Sequence, residues 1–399
     1  MRPLSLRDLD LKGQKVLMRV DFNVPQNSDG TIADDTRIRE ALPSIKYVLD
    51  QGASLILMSH LGRPKAKKDP QFSLKCCAER LEQQLNRPVK FAPDCIGSEV
   101  EKLAHTLKSG EILLLENLRF YAAEEDPDTD PSFAKKLAAL GTVYVNDAFG
   151  TAHRKHSSTA TIAAYFPGKS AAGFLMEKEL DFLEKILAQP KHPFYAVIGG
   201  SKVSSKIGML QALLEKTEAI FIGGAMAFTF FKAQGLSIGD SLHEDSLLGK
   251  AAQFLENCKK KKIPVHLPKD LIIADKFQNT AATKTISVAQ GIPNGWQGMD
   301  IGPETVNEWQ SLLQKAATVF WNGPLGVFEF PHFAAGTNQI AQAIAHLKAT
   351  TLVGGGDSVA AINKLDLAPS FSHVSTGGGA VLEFLEFGHL PGVDALNRL

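Results

Sequence analysis

Lys15-Val16-Leu17-Met18-Arg19-Val20-Asp21-Phe22-Asn23 is a short, mostly apolar run that ends abruptly in polar residues. A helical pattern follows over residues 37–51, then a second apolar run over 54–58. Strands that are apolar along nearly their whole length, not at alternate positions, are buried on both faces and belong to parallel sheets. Working outward, the same rhythm returns. Further apolar runs lie at 89–92, 112–115, 143–145, 194–198, 219–222, 264–267, 318–321, 351–353 and 371–374. Helical patterns at 74–85, 133–140, 206–214, 246–260, 305–316 and 337–347 are interleaved with them. The series runs twice, and a charged helical segment at 176–187, closed by Pro190 and Pro193, separates the two sets. The expected fold is α/β, with two doubly wound, Rossmann-like parallel-sheet domains joined by a helical hinge. The bounds are 1–175 and 190–388, with 176–189 as the interdomain helix.

At 399 residues the chain can form two or three domains with substantial cores. Basic and acidic residues balance at 43 each, so no global field draws in nucleic acid or an anionic membrane. The lysines at 259–262 read as a solvated helix end. Cys76, Cys77, Cys95 and Cys258 show no C-x-x-C spacing, as suits a reducing cytosol. The charged N-terminal stretch lacks a signal-peptide pattern, and the most apolar stretch, 219–231, is too short and too broken by glycine to span a membrane. A cytoplasmic protein without nucleic-acid or membrane partners is expected.

Ten of the eleven arginines precede residue 155, whereas twenty-three of the 33 glycines follow residue 198. Arginine grips carboxylates and phosphates through a planar, permanently charged fork. Glycine turns let main-chain N–H groups cradle phosphates. The asymmetry points to one half for a small anion and one for a nucleotide. Polar motifs sit at the C-terminal ends of the expected strands: Asp21-Phe22-Asn23, Ser59-His60, Glu116-Asn117, Asn146-Asp147, Gly199-Gly200, Gly223-Gly224, Asn322-Gly323, Gly354-Gly355-Gly356 and Gly377-Gly378-Gly379. In open parallel sheets that edge binds ligands. Turns and caps explain any one motif but explain nine on one edge poorly. Two common nucleotide signatures fail. Gly168-Lys169-Ser170 has Ala163 where a P-loop needs its first glycine, and the glycine triplets meet Leu382 and Val359 where the dinucleotide fingerprint needs glycine.

Arg19-Val20-Asp21-Phe22-Asn23-Val24-Pro25, Ser59-His60-Leu61-Gly62-Arg63-Pro64, Glu116-Asn117-Leu118-Arg119-Phe120 and Ala152-His153-Arg154 occur in that order in the first half. Gly199-Gly200-Ser201-Lys202-Val203, Gly224-Ala225-Met226, Trp321-Asn322-Gly323-Pro324 and Gly354-Gly355-Gly356-Asp357-Ser358 follow in the second. The ordered set resembles the phosphoglycerate kinase family over nearly the whole chain. The resemblance implies reversible, Mg²⁺-dependent phosphoryl transfer between 1,3-bisphosphoglycerate and ADP, giving 3-phosphoglycerate and ATP, by a monomer that closes its domains. The alternative is a catalytically silent nucleotide-binding protein on the same fold; intact Arg37, Lys202 and Asp357 speak against it.

The resemblance also implies roles. Asp21, Phe22, Asn23, Arg37, His60, Leu61, Gly62, Arg63, Arg119 and Arg154 would form the glycerate site, with Arg37 reaching the transferring group. Lys202, Gly377 and Gly378 would act on the moving phosphoryl. Lys206, Gly223, Gly224, Gly298, Asn322, Glu329, Gly355, Gly356, Asp357 and Ser358 would hold the nucleotide, and Asp357 the Mg²⁺. Lys202 and Lys206, four apart, would share a face of a helix starting after Gly200. Arg2, Arg7, Arg80 and Arg87 read as surface ion-pair partners, and Asn146 and Asp147 as turn-formers beneath the site. The tail 389–399 would return to the first domain. Ser201, Ser205 and Asn294 depart from the usual family pattern.

Overall fold

In the computed structural model, which describes residues 2–398, β1 (Lys15–Arg19) is buried at every position after Lys15. The two outermost residues, within the expected bounds 1–175 and 389–399, lie outside the described residues. With β2 (Ser54–Met58), β3 (Val89–Phe91), β4 (Ile112–Leu114), β5 (Val143–Asn146) and β6 (Ser170–Ala172), it forms a sheet in the order β3-β4-β2-β1-β5-β6, all pairs parallel. The helix Thr36–Asp50 joins β1 to β2 and buries Ile38, Ala41, Ile45 and Val48. That spacing lays one apolar stripe on the sheet. The chain turns one way from β1 to β2 and lies the other way at β5, so the loops diverge and leave a crevice at the C-terminal strand ends.

The second group of strands comprises β7 (Phe194–Ile198), β8 (Ala219–Ile222), β9 (Val265–His266), β10 (Asp270–Ala274), β11 (Thr283–Ser287), β12 (Gln297–Ile301), β13 (Thr318–Asn322), β14 (Thr350–Gly354) and β15 (His373–Ser375). Six make a parallel sheet in the order β15-β14-β13-β7-β8-β9, with its own core around Phe221, Trp309 and Trp321. Its switch point lies between β7 and β13. The other three form an antiparallel sheet, β11-β10-β12, which the sequence reading did not anticipate. β11 is Thr-Lys-Thr-Ile-Ser with four of its five residues exposed, so it offers no apolar run. β6 is Ser-Ala-Ala, without the Val, Ile or Leu that marks an apolar run, and so escaped.

By its internal contacts the chain divides into Met1–Asp181 with His389–Leu399, and Phe182–Gly388. The dividing line falls inside the helix Phe174–Ala188. In the first unit the tail is fixed through Asn397, whose main-chain O accepts the Leu4 N–H at 2.7 Å and whose Oδ1 accepts the Ser170 N–H at 3.0 Å.

Candidate active site

In the first unit, Asp21 leaves the end of β1 and is paired with Arg37 from the first turn of the helix Thr36–Asp50. Burial alone would raise the Asp21 carboxyl, but the Arg37 and Arg19 guanidiniums and the Asn23 N–H outweigh it and hold it at about 2. Asn23 Oδ1 accepts the Gly62 N–H at 2.8 Å, so its amide nitrogen is the end turned elsewhere. Gly62 has φ +62, and a Cβ there would lie 2.4 Å from the Phe72 ring, so only glycine fits. Asn117 donates to Leu61 O and Phe72 O at 2.7 and 2.8 Å and accepts the Arg119 N–H at 3.0 Å. The two asparagines thereby lash down the loop that carries His60 and Arg63.

Beneath this loop lies a residue that sequence reasoning quoted but gave no role. Arg19, fully buried at the end of β1, donates to Ser158 Oγ at 2.8 Å and approaches Glu124 Oε1 at 3.9 Å. Its Nη2 meets His60 Nδ1 at 3.0 Å. A guanidinium only donates, so Nδ1 must accept and the His60 ring carries its proton on Nε2. Burial, then Arg19, pushes the His60 pKa well below the usual histidine value. Burial and Arg154 lower His153 to about 4, and burial and Arg19 lower His156 to about 3. Positive charge here is therefore carried by arginine, beside histidines kept neutral. The signal was present in the sequence as a charge set inside the apolar run that follows Lys15.

Arg119 is buried, donates to Gly62 O at 3.0 Å and lies 3.3 Å from Glu125 Oε1, an ion pair too bent for a hydrogen bond, so Nε lacks an acceptor. Arg63 and Arg154 are exposed, and among the described residues neither side chain has an ion pair or hydrogen bond. Arg2, Arg7 and Arg80 pair with Asp181, Glu177 and Asp35, whereas Arg87, with no ion pair among the described residues, donates to a carbonyl, Gly110 O. The side chains of Phe22 and Leu61 lie in the hydrophobic core, which leaves their main chain for any contact with a ligand. Asn146 bonds the main chain at Thr159 and Gly392, and Asp147 caps the helix Phe174–Ala188 through the N–H groups of Leu175 and Met176. Both are fully buried.

In the second unit, the loops after β7 and β13 interlock: Gly199 N–H donates to Asn322 O at 2.9 Å and Gly200 N–H to Pro324 O at 2.8 Å. Gly224, at φ +67, passes so close that a Cβ would lie 2.6 Å from Gly200 N. Asn322 reaches Gly354 O, and Ser358 Oγ accepts the Gly323 N–H at 2.6 Å. Two cavities adjoin these turns. The larger, about 490 Å³, is lined by Gly224, Phe228, Leu242, Phe277, Gly298, Leu325 and Glu329 among others. The smaller, about 270 Å³, is lined by Lys202, Lys206, Asn322, Gly355, Gly356, Ser358, Gly378 and Gly379. Gly200, Ser201, Pro324 and Asp357 border both. A mostly carbon-walled space beside a glycine- and lysine-walled one suits a base and sugar followed by phosphates. Leu242 and Phe277 were not anticipated, because single exposed apolar residues carry no local signal.

Several expectations need correction. Lys202 and Lys206 do not share a helix: residues 201–206 form turns, and the helix Ile207–Leu213 starts after them, with Lys206 as its N-cap. Val203 is fully buried and Ser204 is bonded to Glu244, which holds this stretch out of helical form. Lys202 is exposed, but Lys206 is half-buried, its Nζ donating to Gly199 O at 2.5 Å and Asn322 O at 3.2 Å. Burial lowers its pKa to about 8, with Asp357 opposing. Gly223 is buried against Leu325, behind Gly224. Gly377 caps the helix Gly378–Phe387, and its N–H is taken by Ser375 Oγ at 3.2 Å. Of the first-turn residues, Gly378 and Gly379 line the smaller cavity. Among the described residues no three His, Cys, Asp or Glu side chains gather as a metal site.

An arginine cluster suited to a small anion in one unit and a glycine-walled, nucleotide-sized cavity in the other define a small-molecule phosphotransferase. The family model described as phosphoglycerate kinase matches residues 6–388. A phosphoglycerate kinase from Pseudothermotoga lettingae is 51% identical over 396 residues, covering 99% of each chain. A cytosolic phosphoglycerate kinase from Triticum aestivum is 53% identical over 397 residues, covering 99% of this chain and 98% of its own. The solved structure of phosphoglycerate kinase from Coxiella burnetii matches with TM-score 0.84 at 40% identity, and that from Pyrococcus horikoshii with TM-score 0.86 at 32%, each over 98% of both chains. The chain belongs to the phosphoglycerate kinase family, phosphotransferases that use a carboxyl group as acceptor, with ATP and ADP as co-substrates. No helix among the described residues is long and apolar enough to cross a membrane.

Proposed function

We propose that the first unit holds 3-phosphoglycerate or 1,3-bisphosphoglycerate, the second holds ADP or ATP, and the protein works in the cytoplasm as a monomer. The observation that carries the glycerate half is the excess of arginine over partners: among the described residues the Arg63 and Arg154 side chains have no acceptor, and Arg119, beside Glu125, leaves its Nε without a hydrogen bond. These three, with the Nε2–H of His60, take the remote phosphate. Asp21, an anion at neutral pH, accepts from the glycerate hydroxyl, and the Asn23 amide donates to the carboxylate. Arg37, on the next helix, turns from Asp21 toward the transferring group.

The nucleotide base and ribose occupy the larger cavity, with Glu329 accepting from the ribose. Lys206, Gly378 and Gly379 face the phosphates, and Lys202 meets the phosphoryl in flight. The attacking carboxylate or phosphate oxygen is already ionised, so no general base is needed. What remains is alignment and charge stabilisation of a loose transition state. Mg²⁺ typically binds through one or two carboxylates plus substrate phosphates, and exposed Asp357, the one carboxylate among the four residues that border both cavities, fits that donor set. The ion would neutralise phosphate charge there. Purified protein mixed with 3-phosphoglycerate, ATP and Mg²⁺ should yield an acyl phosphate that hydroxylamine traps. Folded protein that binds ADP yet gives no trapped product would instead be the silent nucleotide-binding protein.

A further inference from the structure

Glu244 lines neither cavity, yet its carboxylate takes both hydrogen bonds that Ser204 can give. The Ser204 N–H donates to Oε2 at 2.9 Å, and its Oγ donates to Oε1 at 2.5 Å. Ser204 lies two residues after Lys202, in the stretch that is held out of helical form. The same stretch is anchored by buried Val203 and by Ser205 Oγ, which donates to Lys202 O at 3.1 Å. A long lysine on a loose loop loses much conformational freedom when it meets a ligand, and fixing its backbone beforehand removes part of that cost. Glu244 is itself braced, since its N–H donates to Oγ of Thr229, a buried residue of the helix Met226–Ala233. Burial alone would raise its carboxyl, but the Ser204 bonds and the Lys202 charge hold it below the usual glutamate value. It is an anion at neutral pH.

We propose that Glu244 is a positioning residue for phosphoryl transfer, acting through Ser204 to aim Lys202 into the smaller cavity. This rests on the reading of Lys202 as the lysine that meets the transferring phosphoryl. The test is a cycle of Lys202→Ala, Glu244→Ala and the double variant in the full chain, with kcat, KM for ATP and melting temperature measured for each. Lys202→Ala should lower kcat by a factor on the order of 10³. Glu244→Ala should lower kcat by about tenfold or more, the scale of one charge-assisted bond, with KM and melting temperature little changed. Glu244→Gln, which can still accept the Ser204 N–H and donate to its Oγ, should recover most of that loss. On the Lys202→Ala background, Glu244→Ala should cost nothing further.

Full turnover in Lys202→Ala would overturn the lysine reading and this proposal with it. If Lys202→Ala is impaired but the two losses multiply in the double variant, or if Glu244→Ala changes only KM or melting temperature, the role of Glu244 alone is refuted. Should Glu244→Ala not fold, Ser204→Ala, which deletes only the Oγ bond, carries the same cycle.

Discussion

Arg154 stands exposed and, among the described residues, has no acceptor for its side chain, so losing it should cost the fold little and an anionic ligand much. Arg154→Ala should weaken 3-phosphoglycerate binding about tenfold or more, since a hydrogen bond to a charged group contributes roughly 1.5–3 kcal/mol. ADP binding should hardly change. Titration calorimetry showing equal losses for both ligands would contradict the assignment of each to its own unit. Lys206 makes a prediction in pH. Its ammonium titrates at about 8 in the free protein. A bound phosphate raises that pKa, so above pH 8 binding must take up a proton. ADP affinity should therefore be greatest below pH 8 and fall as pH rises beyond it, by up to about tenfold per unit. Lys206→Met should bind more weakly and lose that slope; an unchanged slope would place the proton elsewhere. At this scale the sequence revealed residue types but not their states. It marked Lys202 and Lys206 as a pair, whereas Lys202 is exposed and Lys206 is held on two carbonyls, with burial lowering its pKa.

Parallel strands such as β1 and β2 are legible because burial on both faces writes an unbroken apolar run. β11 and β12 are not, because their sheet is partly solvated and their residues mix: Gln297-Gly298-Met299-Asp300-Ile301 follows neither period cleanly. Yet this small sheet forms part of the larger cavity's wall through Leu271, Gly298 and Met299. A long-range cap ties it in place. Asp270, at the start of β10, accepts the N–H groups of Glu304 and Thr305 at 3.0 and 2.8 Å, and the Thr305 hydroxyl at 2.6 Å. It satisfies the first turn of the helix Pro303–Leu313, whose own N-cap residue, Gly302, has no side chain to do so. The partners lie some thirty-five positions apart, so no local capping pattern could expose them. Asp270→Ala should leave buried donors unpaired and cost on the order of 2 kcal/mol, seen as a lower melting temperature. An unchanged melting temperature would mean that water replaces the carboxylate without penalty.

For the whole molecule, the most legible signal was the uneven distribution of arginine and glycine. Every arginine of the chain falls within the first unit, Arg398 included, because residues 389–399 belong to that unit. Each unit has its own sheet, its own core and its own candidate half-site. If each ligand contacts only its own unit, each should stabilise that unit against unfolding. A ligand at a hundred times its Kd stabilises the form that binds it by about 2.7 kcal/mol, which slows exchange through unfolding about a hundredfold. Saturating Mg·ADP should therefore slow amide hydrogen exchange about a hundredfold in β7, β13 and β14, and leave β1, β2 and β4 nearly unchanged. Saturating 3-phosphoglycerate should do the reverse. The slowest-exchanging amides of each sheet report this directly, since they open only when their own unit unfolds. Equal protection of both sheets by either ligand would show that the two units unfold as one cooperative body. Protection of β7, β13 and β14 by 3-phosphoglycerate alone would refute the placement of the glycerate site among the arginines.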